Sequence, residues 1–249
     1  MNEQEGKQPA TDLLAGHTVR RYDQELARLH TIILQMGEHV SEQVQAAVKA
    51  LLDDDDYQAY RVLDREPQID YLSLDADEEV FRLIVRRQPA AVDLRIVMAL
   101  SKITAEFERA GDKAARIAHQ VIEWIQETDV LVEPVRAAFQ SLNEQAIGMF
   151  ERSLRAVATF DVSQSLAIFE KEPELDRAAR ALRELLSDPA QGGLASRYAI
   201  TLFYCAQALK HIGRHASNIA ELVIYVALGQ DVRYRNREIL IETLRHRGY

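Results

Sequence analysis

The stretch from Arg95 to His119, RIVMALSKITAEFERAGDKAARIAH, decides how the rest of the chain is read. Val97, Leu100, Thr104, Phe107, Gly111, Ala114, Ala118 and, just beyond it, Val121 recur every three or four residues. That spacing predicts a long amphipathic helix with one apolar face. Glu108 and Asp112 stand four residues apart beside this stripe, so they stack on one row of the helix. Like charges at that spacing destabilise an isolated helix by about 0.2–0.5 kcal/mol. Something should compensate them. Arg116, Arg109 and Lys113 can do so through ion pairs, and a metal cation can do so by ligation; on spacing alone the ion pairs are the simpler account.

The same helix is written a second time, from Arg197 to Leu222, RYAITLFYCAQALKHIGRHASNIAEL. Arg95 matches Arg197, Gly111 matches Gly213, Ile117 matches Ile219 and Ala118 matches Ala220, all at one offset. Upstream, at a slightly larger offset, Asp64-Arg-Glu-Pro-Gln-Ile-Asp70 lies over Glu170-Lys-Glu-Pro-Glu-Leu-Asp176. Met36, Val40, Val44 and Val48 fall on Leu142, Ala146, Phe150 and Leu154 at that offset. The chain is therefore an internal duplication of a unit of about a hundred residues.

The other segments complete each unit. His17 to Leu52 carries a period of 3.6 through Leu26, Leu29, Ile33, Met36, Val40, Val44, Val48 and Leu51. An acidic turn at Asp53 to Asp56 follows, with Asp56 able to cap a second helix that runs to Arg87 and carries a proline kink at Pro67. Gln88-Pro89 marks the turn into the third helix, and residues 127–134 form the link to the second unit. There Pro134 opens the fourth helix, Pro173 repeats the kink, and residues 187–193 precede the sixth helix. Strand signals are missing, and aromatic residues make up only 7% of the chain. The expected fold is all-α: two tandem, duplicated antiparallel three-helix bundles over residues 17–127 and 128–230. A mobile polar arm is expected at 1–16 and a basic tail at 231–249.

Composition narrows the function. A net charge of −9 argues against a nucleic-acid partner, which calls for a basic footprint. The single cysteine, Cys205, falls in a helical stripe and reads as a small core residue. The first sixteen residues lack the architecture of a signal peptide, and no apolar run is long enough to span a membrane, so a cytoplasmic protein is expected. No glycine loop suited to phosphate binding and no activated nucleophile stands out.

Gln88-Pro-Ala-Ala-Val-Asp-Leu-Arg95 followed by Glu108-Arg-Ala-Gly-Asp112, inside a duplicated three-helix unit, resembles the PhoU family. The resemblance covers roughly Thr18 to Asp231. It implies a non-enzymatic, cytoplasmic negative regulator of phosphate uptake and phosphate-starvation signalling. Such a regulator acts by contact between a phosphate ABC transporter ATPase and a sensor histidine kinase, as a homodimer. The resemblance also makes Glu108 and Asp112 candidate metal ligands. Asp64, about level with Asp112 in an antiparallel hairpin, is the expected third oxygen ligand. An all-oxygen set suits Mg²⁺, Ca²⁺ or Mn²⁺, and the family adds iron. His119 reads as a surface or capping histidine.

The second unit departs from the family pattern. Lys210 and Arg214 occupy the positions of Glu108 and Asp112 and offer no lone pair to a metal. The expectation is a metal in the first repeat only, with the second held by ion pairs from Lys210 or Arg214 to Glu170. His211 and His215 extend this basic face, which could draw an anion. The tail, with Ile239, Leu240, Ile241 and Leu244 among arginines, is expected to fold as a short amphipathic helix packed on the bundle, with at most peripheral membrane contact. Two alternatives stay open: a PhoU-like accessory of a different transporter, and a carboxylate metal enzyme in a helical bundle. The enzyme would need paired Glu-x-x-His motifs that the two repeats do not share.

Overall fold

The computed structural model describes residues 20–125, 131, 133–187 and 196–249. The arm at 1–16 and most of both predicted loops, 127–134 and 187–193, lie outside the described residues. Seven helices follow in order among the described residues: α1 (Arg20–Asp53), α2 (Asp56–Arg87), α3 (Ala91–Ile125), α4 (Glu133–Thr159), α5 (Val162–Ser187), α6 (Ser196–Leu228) and α7 (Arg237–His246). The fold is all-α, as the periodicity requires.

Helix ends follow local chemistry. Asp55, rather than Asp56, caps α2; its carboxylate accepts the Gln58 amide at 2.9 Å. Gln88 closes α2 in the left-handed conformation at φ 48°, and its N–H returns to the Ile84 carbonyl at 3.1 Å. Pro89 follows directly, where a helix cannot continue. Pro67 and Pro173 sit inside α2 and α5, and both helices run on past them.

Within each repeat the three helices pack on one another: α1, α2 and α3 in the first, α4, α5 and α6 in the second. The repeats meet chiefly along α3 and α6, with a smaller contact between α1 and α4. Every predicted member of the α3 stripe is buried. The two apolar faces form one continuous core in which Phe107 of α3 meets Phe150 of α4 edge-on, with ring centroids 5.6 Å apart. His30 of α1 spans the same junction, its Nε2 2.9 Å from the Val157 carbonyl of α4. Cys205 is buried, and burial pushes its thiol up to about 12, as suits an inert core residue.

The duplication is legible in the packing. Gly111 lets α3 approach Ile69 of α2, and Gly213 lets α6 approach Leu175 of α5, matched residues in matched places. The tail helix packs on α5 and buries Leu240 and Leu244, whereas Ile239 stays exposed. No helix among the described residues is long and apolar enough to cross a membrane.

Gly37 of α1 sits in close packing against Leu154 of α4 and Phe107 of α3. A Cβ there would stand 2.9 Å from Phe107 Cζ and would overlap the Leu154 side chain. Gly37→Ala should therefore destabilise the protein by about 1–3 kcal/mol, although alanine is the better helix former. Gly148 has no such neighbour within 4 Å, and Gly148→Ala should stabilise by up to about 1 kcal/mol. Urea unfolding of the two variants checks both; equal effects would remove close packing as the reason for Gly37.

Candidate functional site

Along the α2–α3 seam, four carboxylates gather in two helical rows: Glu66 and Asp70 on α2, Glu108 and Asp112 on α3. The rows are joined where Ser73 Oγ donates to Glu108 Oε2 at 2.7 Å. Desolvation against the helix pair raises the Asp112 carboxyl above the usual range, Glu108 adds to the rise and Asp70 contributes from across the seam. Lys113 and Arg116 oppose it without forming an ion pair among the described residues, and Arg109, the third predicted compensating cation, pairs with Glu106 instead. Glu66 is also raised, first by burial, then by Asp70 and Asp112; His119 pulls it back. None of Asp64, Glu66, Asp70, Glu108 or Asp112 has an ion-pair partner among the described residues.

Sequence reasoning put Asp64 third in this set. Asp64 and Asp70 are both exposed on α2; of the two, Asp70 is among the charges that raise Glu66 and Asp112. Asp70, six residues further along α2, acts on Asp112 across the seam, as Asp112 acts on Glu66. Its signal was present in the repeat, because Asp70 matches Asp176 and Glu108 matches Lys210. Among the described residues no three Asp, Glu, His or Cys side chains already stand close enough together to hold a metal.

The second repeat answers the same positions with cations. Lys210 Nζ meets Asp176 Oδ1 at 2.7 Å. This corrects the expected pairing of Lys210 or Arg214 with Glu170: the level of the helices sets Lys210 against Asp176, and Arg214 instead lines a neighbouring cleft. Glu170 pairs with Arg245 of α7 at 2.5 Å. Glu172, the match of Glu66, pairs with Arg237 at 3.0 Å, whose guanidinium lies 3.9 Å above the Phe169 ring centre. Arg237 also reaches Glu221 of α6 at 3.0 Å. The tail thus neutralises part of an acidic row that the first repeat leaves unpaired.

Between the repeats, Glu106 of α3 is buried and takes three donors. His215 Nδ1 lies 2.8 Å away, Asn218 Nδ2 2.9 Å and Arg109 Nη1 3.1 Å. Burial disfavours its charge, but the bonds from His215 and Asn218 outweigh that and hold the carboxyl below the ordinary range.

The PhoU domain family model matches residues 33–121 and again 139–223, once in each bundle. The chain belongs to the PhoU family. It is 35% identical over 224 residues, 90% of its length and 92% of the relative's, to the phosphate-specific transport system accessory protein PhoU homolog of Pseudomonas aeruginosa. With the phosphate-specific transport system accessory protein PhoU of Escherichia coli it shares 29% identity over 88% of the chain and 90% of that protein. The crystal structure of PhoU from Pseudomonas aeruginosa superposes with a TM-score of 0.79 at 34% identity, covering 84% of this chain and all of the other. The PhoU bundle and its repeat are thus shared over nearly the full length, while the Lys210 and Arg214 substitution is read from this chain's own residues.

The raised carboxylates set a pH signature for the metal-free protein. A carboxyl whose folded pKa is raised favours the folded state while protonated, so its contribution is lost as pH rises through the folded value. Asp112→Asn should accordingly raise the unfolding midpoint at neutral pH in chelator. It should have no such effect at a pH below the ordinary aspartate value of 3.8. A midpoint that falls at neutral pH would show that Asp112 is stabilised by an interaction the carboxylate cluster does not explain.

Proposed function

We propose that this chain is a non-catalytic negative regulator of phosphate uptake and of phosphate-starvation signalling. It works in the cytoplasm by contact with a phosphate ABC transporter ATPase and a sensor histidine kinase. The observation that carries this reading is the match, over about nine-tenths of the chain, to relatives named as accessory proteins of the phosphate-specific transport system. A surface suited to contact supports it. Tyr57, Tyr60, Tyr71, Leu74, Phe81 and Val85 form an exposed apolar stripe down α2. At the matched positions the second repeat has Ser163 for Tyr57, Arg177 for Tyr71, Arg180 for Leu74 and Ser187 for Phe81. Either the partner proteins or a second copy of the chain, as a homodimer, would dock there.

In the same reading a divalent cation or iron is held in the first repeat alone. Carboxylates without ion-pair partners are the right donors for a hard cation. Glu108 and Asp112 would supply two ligands, and Asp70 or Asp64 the third. The metal would link α2 to α3 much as Lys210 links α5 to α6.

Deleting the gene should derepress phosphate uptake at high external phosphate. Unchanged uptake together with unchanged expression of starvation-induced genes would instead favour a different transporter as the partner. Phe81→Glu with Tyr71→Glu should cut binding to the purified transporter ATPase or kinase, or dissociate the dimer in sedimentation, with helicity retained. Metal content by mass spectrometry of untagged protein should be lost in the Glu108→Gln, Asp112→Asn variant. The Asp64→Asn and Asp70→Asn variants show which is the third ligand. Metal retained by the double variant would overturn a site in this seam.

A further inference from the structure

A cleft of about 570 Å³ lies where α3, α6 and the turn before α7 converge, away from the carboxylate seam. Six cationic side chains line it: Lys102 and Arg109 from α3, Arg214 from α6, Arg233 and Arg235 from the turn, and Arg237 at the start of α7. Only two carboxylates, Glu106 and Glu221, share the lining. Both are already committed, Glu106 to His215, Asn218 and Arg109, and Glu221 to Arg237. Lys102, Arg214 and Arg235 have no ion-pair partner among the described residues. In a chain with a net charge of −9, three unpaired cations from three separate segments converge on one concavity.

The cleft is also pre-shaped. Asp231 holds Arg233 with a bond of 2.6 Å and accepts the Arg233 amide at 3.1 Å, which fixes the turn. Arg237 is held between Glu172 and Glu221. Tyr234, at the lip, is 99% exposed and adopts φ 61°, a conformation non-glycine residues seldom take. Its ring is therefore presented to solvent beside guanidinium groups, free to stack on a planar ligand.

We propose that this cleft binds a small anion bearing more than one phosphate group, either a polyphosphate chain or a nucleoside triphosphate. Guanidinium groups recognise phosphate oxygens through paired, charge-assisted bonds, and cations clustered in a concavity concentrate anionic ligands. The volume fits a small-molecule site and exceeds what one orthophosphate fills. Cations from three segments span several phosphates better than one. The proposal goes beyond the regulatory reading and does not depend on a metal in the first repeat.

The test is titration calorimetry of the full chain in chelator-treated buffer at low salt, with tripolyphosphate, ATP and orthophosphate as separate ligands. Tripolyphosphate and ATP should bind one-to-one and compete, orthophosphate should bind at least about tenfold more weakly, and all binding should weaken steeply with added salt. Lys102→Ala, Arg214→Ala and Arg235→Ala together should weaken tripolyphosphate binding by about thirtyfold or more, since each removes a charge-assisted contact. Arg235→Gln alone, in an exposed turn, gives a partial loss if the triple variant is poorly folded. Tyr234→Ala decides the source: loss of ATP affinity alone marks a nucleotide, and equal affinities in both proteins mark the polyphosphate chain. The proposal fails if neither compound binds at millimolar concentration, or if orthophosphate binds as tightly as tripolyphosphate. It also fails if the charge-removal variants bind unchanged, or if phosphatidylglycerol vesicles bind here and tripolyphosphate does not displace them.

Discussion

The junction between α3 and α6 is the constraint on which the rest of the molecule depends. Both helices are copies of one ancestral element, and each presents an apolar stripe to its own bundle while also packing on its counterpart. A helix that serves two neighbours needs a wide apolar face, and any polar group caught in the seam must be satisfied. Glu106 is one such group, and its bonds to His215 and Asn218 tie the first repeat to the second. Arg95 adds a second tie, donating from α3 to the Val226 carbonyl near the end of α6 at 3.0 Å. That bond satisfies one of the terminal carbonyls a helix leaves open. Where α6 ends, Gly229 turns the chain at φ 69° directly against the Arg95 guanidinium, where a side chain would collide.

That turn sends the tail back across the second repeat, with consequences for charge. Repeat one keeps its acidic row on α2 without ion pairs. Repeat two has lost the acidic pair on its third helix and gained Lys210 there, and the tail contributes Arg237 and Arg245. Duplicated halves that began alike have reached two electrostatic solutions to one geometric problem, the close approach of two acidic helices. In one, burial and neighbouring carboxylates make Glu66 and Asp112 hold their protons more firmly; in the other, cations stand between the helices. The tail also closes the third wall of the cationic cleft, so the departure from repeat symmetry gives the molecule its distinct surfaces.

The fold was legible because its determinants are local and periodic. Seven-residue-spaced apolar positions specify helices whatever surrounds them, Gln88-Pro89 stops a helix by its own stereochemistry, and the two writings of one pattern announce two bundles. Gly111 and Gly213 stand at matching positions of the two repeats, and they occupy equivalent close contacts with Ile69 and Leu175. Glu108 and Asp112 were legible as a stacked acidic pair for the same reason: four residues along a helix is a fixed distance.

Partner choice across helices was not legible in the same way. Counting back from a turn locates a facing residue only to within a helical turn or two, and the difference between Asp64 and Asp70, or between Glu170 and Asp176, lies inside that margin. Lys210 meets Asp176 because of the height at which α5 and α6 pack, a quantity set by many side chains together. The cleft formed by Lys102, Arg214 and Arg235 joins α3 to segments more than a hundred residues further along the chain, and no short-range pattern links them. The sequence by itself determined the helices, their duplication and the loss of the acidic pair in the second repeat, because those are properties of spacing along one chain. Which cation answers which carboxylate, and which are left unanswered, was decided only by the tertiary structure, because charge pairing depends on distances through space.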